Sequence, residues 1–67
     1  MSTAAAIIIG DEILSGKFQD ENGPWLAAES RRIGLDLQRI VVIPDDVNII
    51  ADEVRRAHPL FDYVFTT

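Results

Sequence analysis

The feature that most limits the possible folds is an uninterrupted apolar run near the start of the chain. Residues 4–9 read Ala-Ala-Ala-Ile-Ile-Ile, and Gly10, Asp11 and Glu12 follow at once. An apolar run that does not alternate with polar residues is typical of a strand covered on both faces, as in parallel α/β sheets. In such sheets ligands bind beyond the carboxyl ends of the strands. Asp11 and Glu12 are therefore candidates for chemistry.

Length and composition narrow the class of protein further. The chain has 67 residues, of which 48% are hydrophobic and 25% charged, and this composition is globular rather than disordered. It contains no cysteine, which excludes disulfides and thiolate metal sites. The formal net charge of -5 argues against nucleic acid as a partner. The apolar run is too short for a membrane helix or a signal-peptide core, so we expect a cytoplasmic protein without a membrane partner.

The rest of the chain alternates predicted helices with predicted strands. Apolar residues recur at helical spacing in two segments, and runs rich in β-branched and aromatic residues indicate two more strands. The predicted elements are strands at residues 4–9, 35–43 and 63–66, helices at residues 22–34 and 47–57, and a short helical turn through Ile13 and Leu14. This order implies right-handed crossovers and a parallel sheet.

Polar residues stand at the start of both longer helices. Asn22 or Gly23 is expected to cap the first helix, and Asp45 or Asp46 the second, since these residue types favour the cap position. The sequence does not distinguish the two members of either pair.

One polar residue interrupts the apolar stripe of the first longer helix. Ser30 comes four residues after Leu26 and three before Ile33, so the three side chains share one side of the helix. We expect leucine at position 30 to complete this stripe and to stabilise the fold.

Right-handed crossovers bring the ends of all three strands to one edge of the sheet. The polar residues that follow the strands are Gly10, Asp11 and Glu12, then Asp45 and Asp46, then Thr66 and Thr67. Asp20 and Asn22 precede the first longer helix, whose amino end points to the same edge and can offer N–H groups to an anion. The sequence thus predicts one polar rim built from separate segments.

Several carboxylates at one rim favour the binding of a cation. Two carboxylates about 5 Å apart repel each other by roughly 3 kcal/mol at an effective dielectric constant of about 20. Mg²⁺ prefers oxygen ligands and commonly bridges one or two carboxylates to substrate phosphates. We therefore predict a metal-assisted phosphate or pyrophosphate site. The same residues also have a purely structural interpretation, as helix caps and as a solvated turn.

These motifs, in this order, resemble the molybdopterin-binding domain. The matching segments are residues 8–16, 20–22, 42–46 and 62–67, together with Leu26, Ala27, Gly34 and Ile50. That domain occurs in molybdenum-cofactor biosynthesis proteins, in competence/damage-inducible proteins of the CinA type, and fused to FAD synthase in eukaryotes. The Gly-Asp-Glu-Ile-Leu-x-Gly and Asp-x-Asn segments are most similar to the CinA-type and FAD-synthase-associated branch.

The resemblance implies a fold, a ligand and a set of site residues. The implied fold is a three-layer α/β/α sandwich on a mostly parallel sheet, often assembled as a trimer. The implied ligand is a phosphorylated pterin, such as molybdopterin, or a nucleotide, bound with Mg²⁺ or another divalent metal. The predicted ligand-binding residues are Gly10, Asp11, Glu12, Asp20, Asn22, Thr66 and Thr67, with Asp45 as the catalytic residue and Asp45 and Asp11 as metal ligands.

The resemblance also implies that residues 1–67 are the amino-terminal portion of a single domain of this type. The glycine-rich loop of the family, Gly-Gly-x-Gly-Pro-Thr, would come directly after Thr67. We therefore expect the 67 residues alone to have little or no activity, and a full-length protein to form a homo-oligomer.

Three functions remain open from the sequence. The main hypothesis is the binding of a phosphorylated pterin or nucleotide with Mg²⁺. The enzymatic alternative is a metal-dependent pyrophosphatase for ADP-ribose-like nucleotides, an activity to which CinA-type members are linked. The third possibility is a non-catalytic ligand-binding or assembly module, or an inactive truncated fragment.

Overall fold

The computed structural model describes all 67 residues and contains six helices and strands. In chain order these are β1 (Thr3–Ile9), α1 (Asp11–Leu14), α2 (Asn22–Ile33), β2 (Asp36–Ile43), α3 (Val47–Ala57) and β3 (Tyr63–Thr66). The predicted order of strands and helices is confirmed, and the short turn through Ile13 and Leu14 is α1.

The three strands form one parallel sheet with β1 in the centre. β1 pairs with β2 on one side and with β3 on the other, so the strand order is β2-β1-β3. The chain moves from β1 to β2 and then back across β1 to β3. Because crossovers between parallel strands are right-handed, this reversal puts α2 and α3 on opposite faces of the sheet. The predicted α/β/α arrangement is confirmed.

The core is centred on β1. Residues 4–8 each expose 2% or less of their surface, and Ile7 and Ile8 are the largest fully buried side chains. Successive side chains of a strand point to opposite faces, so the three alanines let a helix approach the sheet from either side. The prediction of a strand covered on both faces is confirmed.

α2 packs on the sheet through small residues. Gly23 and Ser30 are its buried residues, and a Cβ atom on Gly23 would lie 3.6 Å from Cγ2 of Ile40 in β2. The large apolar side chain of Ile33 is instead 63% exposed. The helix ends at Gly34, whose positive φ of 81° is the left-handed conformation that favours glycine.

α3 is joined to the sheet by a charged pair as well as by apolar contacts. The Glu53 carboxylate is 14% exposed and lies 3.7 Å from the guanidinium of Arg39 in β2 and 2.9 Å from that of Arg56. Ala57 is the buried residue at the end of the helix. None of the helices is long and apolar enough to cross a membrane.

Ser30 offers a direct test of the packing between α2 and the sheet. It is 3% exposed and borders a depression of about 290 Å³, together with Ala27 and Leu37. We predict that Ser30→Leu raises the free energy of unfolding by about 1 kcal/mol, because burying a leucine contributes about 1.5–3 kcal/mol before the cost of fitting it. Thermal and urea denaturation would measure the change.

Ala28→Leu is the matched control for this substitution. It adds the same side chain at an exposed position of the same helix, where we expect almost no change in stability. A lower stability of Ser30→Leu would mean that the depression cannot hold the larger side chain.

Candidate functional site

The carboxyl ends of the three strands form a common edge. Gly10 N–H donates to the carbonyl of Ile43 at 3.0 Å, which joins the end of β1 to the end of β2. Ile9 N–H donates to the carbonyl of Thr67 at 2.7 Å, which joins β1 to the residue that follows β3. Backbone hydrogen bonds therefore fix the strand ends that carry the polar residues of this edge.

Asp11 and Asp45 lie side by side at this edge. Oδ1 of Asp11, the first residue of α1, accepts a hydrogen bond from the N–H of Asp45 at 3.2 Å. This bond joins the turn after β1 to the turn after β2. Oδ2 of Asp11 and the whole carboxylate of Asp45 have no hydrogen-bond partner in the chain, and both residues are exposed.

Asp46 has a structural role instead. Its Oδ1 accepts hydrogen bonds from the N–H groups of Asn48 at 2.9 Å and Ile49 at 3.2 Å, so its carboxylate caps α3. The structure thus assigns to Asp46 the cap that the sequence left open between two aspartates. Asp45 is the carboxylate that remains available for a ligand.

The Asp20 carboxylate accepts hydrogen bonds from the N–H groups at the amino terminus of α2. Its Oδ1 accepts the N–H of Asn22 at 2.9 Å, and its Oδ2 accepts the N–H of Gly23 at 3.0 Å. Pro24 has no N–H, and the N–H of Trp25 donates to a carbonyl of the preceding turn at 3.4 Å. Every N–H of this first turn is accounted for. The expectation that α2 offers free donors to a phosphate is therefore wrong.

Gly23 makes room for the Asp20 carboxylate. A Cβ atom at position 23 would lie 2.5 Å from Oδ2 of Asp20, which is shorter than any ordinary contact. The predicted caps of α2 are also corrected here. Asn22 and Gly23 are the first two residues of the helix, and the accepting oxygens come from Asp20.

The side chain of Asn22 contacts the end of β3. Its Nδ2 donates to Oγ1 of Thr67 at 3.0 Å, across 45 positions of sequence. The Thr67 N–H also donates to the carbonyl of Ile7 at 3.1 Å, so its backbone is tied to β1. The structure thus brings Asn22 and Thr67 to the same edge as the turn that holds Asp11.

Gly10, Glu12 and Thr66 complete the predicted set of residues at this edge. A Cβ atom on the buried Gly10 would lie 2.9 Å from Oε1 of Glu12, so the glycine lets the glutamate fold back over the turn. Glu12 is exposed and its carboxylate has no hydrogen-bond partner in the chain. Thr66 is the last residue of β3 and pairs with Ile7 of β1.

The free carboxylates fit a metal ion only if a bound ligand supplies further oxygen atoms to it. Nowhere in the chain do three or more acidic, histidine or cysteine side chains form a group that could hold a metal ion. Asp11 and Asp45 are neighbouring acidic residues, and Mg²⁺ is commonly held by one or two carboxylates, with substrate phosphates and water at its other positions. Their donor set therefore suits Mg²⁺ that arrives with a phosphorylated ligand.

The two depressions on the surface lie at the opposite edge of the sheet. One, of about 320 Å³, is lined by Ile33, Tyr63 and Phe65 among others, and the other borders Ser30. Both adjoin the starts of strands rather than their ends. We place the candidate site at the carboxyl edge, because the polar residues predicted from the sequence meet there.

Sequence reasoning missed two contacts of this edge. The capping role of Asp20 has a local signal, namely an aspartate just before the helix and a glycine three residues after it. The contact between Asn22 and Thr67 has no local signal, because 45 positions separate the two residues.

Comparison with known proteins points to one family. The family model described as "Probable molybdopterin binding domain" matches residues 5–67. A protein of Archaeoglobus fulgidus is 46% identical over 61 residues, which cover 91% of this chain and 27% of the relative. The "Probable FAD synthase" of Caenorhabditis elegans is 42% identical over 65 residues, which cover 97% of this chain and 12% of the relative.

A solved structure has the same fold. It is the crystal structure of the protein CinA, of unknown function, from Thermoplasma acidophilum. The two agree with a TM-score of 0.91 at 28% sequence identity, over 97% of this chain and 38% of that chain. The chain thus spans much less than two thirds of the length of each of these relatives.

The different roles of Asp45 and Asp46 can be tested through their effects on stability. We predict that Asp46→Ala lowers the free energy of unfolding by about 1 kcal/mol, because a lost cap of this kind costs about 0.5–2 kcal/mol. Asp45→Ala is the matched control and should have almost no effect, since the Asp45 carboxylate bonds to nothing in the chain. Urea denaturation would measure both, and equal effects would contradict the assignment of the cap.

Proposed function

Because the chain belongs to the molybdopterin-binding domain family, we propose that it binds a phosphorylated pterin or a nucleotide at the carboxyl edge of its sheet. The observation that carries the proposal is the hydrogen bond from the backbone N–H of Asp45 to the Asp11 carboxylate, which joins the turns after β1 and β2 and makes these two acidic residues neighbours. In sheets with the order β2-β1-β3 the crossover direction reverses beside β1, and ligands bind at such points.

Mg²⁺ is the proposed companion of the ligand, with Asp11 and Asp45 as the side chains that hold it. Asp11 and Asp45 would hold the ion, which would offset the repulsion between their carboxylates and the phosphate of the ligand. Glu12 adds a third free carboxylate to this edge, and the chain as a whole has a formal net charge of -5. A phosphorylated ligand without a cation meets only repulsion from these side chains, so we expect binding to require a divalent ion.

The other predicted residues have different parts in this proposal. Gly10 and Thr66 form the floor of the site through their backbone positions at the ends of β1 and β3. Asp20 acts indirectly, because both of its oxygens are engaged at the start of α2. We propose that the ligand lies over the end of β1, between the turn after β2 and the end of β3.

A nucleotide pyrophosphatase is the second candidate function, and Asp45 favours it. Asp45 is exposed and adjacent to Asp11, and its carboxylate is unpaired. A residue that acts on a diphosphate held by a cation must meet these conditions. Hydrolysis would break one P–O bond of the P–O–P linkage, add the hydroxide of a water molecule to that phosphorus, and release the other phosphate together with the remaining proton of the water. We propose Asp45 as the catalytic residue that assists this step.

Calorimetric titration of the chain tests the binding proposal. The probes are ADP-ribose, 6-hydroxymethylpterin diphosphate and inorganic pyrophosphate, each with and without MgCl₂. We predict binding only when Mg²⁺ is present. Asp11→Asn and Asp45→Asn should each weaken it by about tenfold or more, because loss of even an outer-shell partner of a metal commonly costs about 10–100-fold.

Asp52→Asn is the matched control for these titrations. It removes a negative charge from an exposed aspartate of α3 that pairs only with Arg55, so affinity should not change. Binding that ignores Mg²⁺ and both site substitutions would contradict the proposal, as would the absence of binding to all three probes. The preferred probe would distinguish a pterin ligand from a nucleotide.

Chromatography of ADP-ribose incubated with the chain and Mg²⁺ distinguishes the two candidate functions. We expect binding without turnover from these 67 residues. Release of AMP that disappears in Asp45→Asn would establish the pyrophosphatase instead.

A further inference from the structure

The hydroxyl of Thr67 is held from one side by Asn22. Nδ2 of Asn22 donates to Oγ1 of Thr67 at 3.0 Å, so the threonine oxygen is the acceptor in this bond. A hydroxyl has a single proton, which it can donate in one hydrogen bond. Thr67 donates this proton to no group in the chain. The proton is therefore available to a ligand.

Hydrogen bonds to their backbone groups fix both members of this pair. The N–H of Thr67 donates to Ile7 at 3.1 Å, and its carbonyl accepts from Ile9 at 2.7 Å. On the other side, the N–H of Asn22 is held by Asp20 at 2.9 Å. The direction of the hydroxyl is thus set by a side chain whose own backbone is anchored at the start of α2.

Thr67 lies across β1 from the aspartate pair. Its carbonyl bonds to Ile9, which comes two residues before Asp11, whereas Asp45 lies on the β2 side of the sheet. A ligand over the end of β1 can therefore meet carboxylates on one side and an uncharged hydroxyl on the other. Unlike the carboxylates, a hydroxyl donates to a phosphate oxygen without a cation between them.

We propose that Asn22 is a positioning residue, which orients the Thr67 hydroxyl so that it donates a hydrogen bond to an anionic oxygen of the ligand. This inference rests on the proposed function and adds to it a neutral contact opposite the aspartates. It has a specific consequence. Asn22 does not touch the ligand, so substitutions of Asn22 act on affinity only through Thr67.

Calorimetric titration with inorganic pyrophosphate and MgCl₂ tests the role of each residue. Thr67→Val keeps the shape of the side chain and removes the hydroxyl, and we predict that it weakens binding about tenfold, a typical loss for one hydrogen bond to a charged group. Thr67→Ser keeps the hydroxyl and should preserve most of the affinity. Asn22→Ala should cause a smaller loss, because the hydroxyl is then present but no longer oriented.

The double variant distinguishes positioning from direct contact. If Asn22 acts through Thr67, then Asn22→Ala combined with Thr67→Val binds no more weakly than Thr67→Val alone. Losses that add would show that Asn22 contacts the ligand itself and would overturn the inference. Gln38→Ala is the control, because it breaks a similar amide hydrogen bond, to Asp36 at 2.7 Å, at the opposite edge of the sheet.

Asn22→Asp tests the direction of the hydroxyl. A carboxylate at position 22 only accepts, so the Thr67 proton should turn toward it and away from the ligand. We predict a greater loss than in Asn22→Ala. The same substitution in the Thr67→Val background measures the effect of the added charge alone, and an equal loss in both backgrounds would overturn the inference.

The failure of this inference can be told apart from the failure of the proposed function. If the unaltered chain binds pyrophosphate and Thr67→Val binds it equally well, only the inference fails. If the unaltered chain binds none of the three probes, the proposed function fails and the inference with it. Urea denaturation of each variant checks that lost affinity does not come from lost folding.

Discussion

The burial of β1 on both faces is the constraint on which the rest of the structure depends. Residues 4–8 expose 2% or less of their surface, and this requires a helix over each face and a strand along each edge. With right-handed crossovers, two helices cover opposite faces only if the chain reverses direction between its second and third strands. Because all three strands are parallel, the turns after β1 and β2 and the end of β3 lie at one edge, with β1 in the centre. The geometry of the candidate site thus follows from the burial of one strand.

The sequence predicted the secondary structure closely because its signals are local. The strand predicted at residues 4–9 is Thr3–Ile9, and the helix predicted at residues 47–57 is Val47–Ala57. The sequence did not indicate how much of each apolar stripe the sheet would cover. Ile33 shares a stripe with Ser30, which is 3% exposed, but Ile33 itself is 63% exposed.

The sequence predicted that the candidate residues meet at one edge of the sheet, but it did not predict their individual hydrogen bonds. Parallel topology alone brings Asp11 and Asp45 to one edge. Which of two adjacent aspartates caps α3 depends on the backbone conformation of a single residue, for which the sequence has no clear signal. Asp46 is extended, with φ of -136° and ψ of 123°, and can therefore reach back to the first turn of the helix.

Helix capping also determines what kind of ligand this edge can accept. α2 and α3 both begin at the carboxyl edge, and free helix amino termini there would attract phosphate. Asp20 and Asp46 already occupy these termini, so the dipoles of both helices act on the protein's own carboxylates. The side chains that remain free nearby include Asp11, Glu12 and Asp45, all of them acidic. This is the reason for our proposal that an anionic ligand binds here together with a cation. The proposed dependence on a divalent ion thus follows from how the two helices are capped.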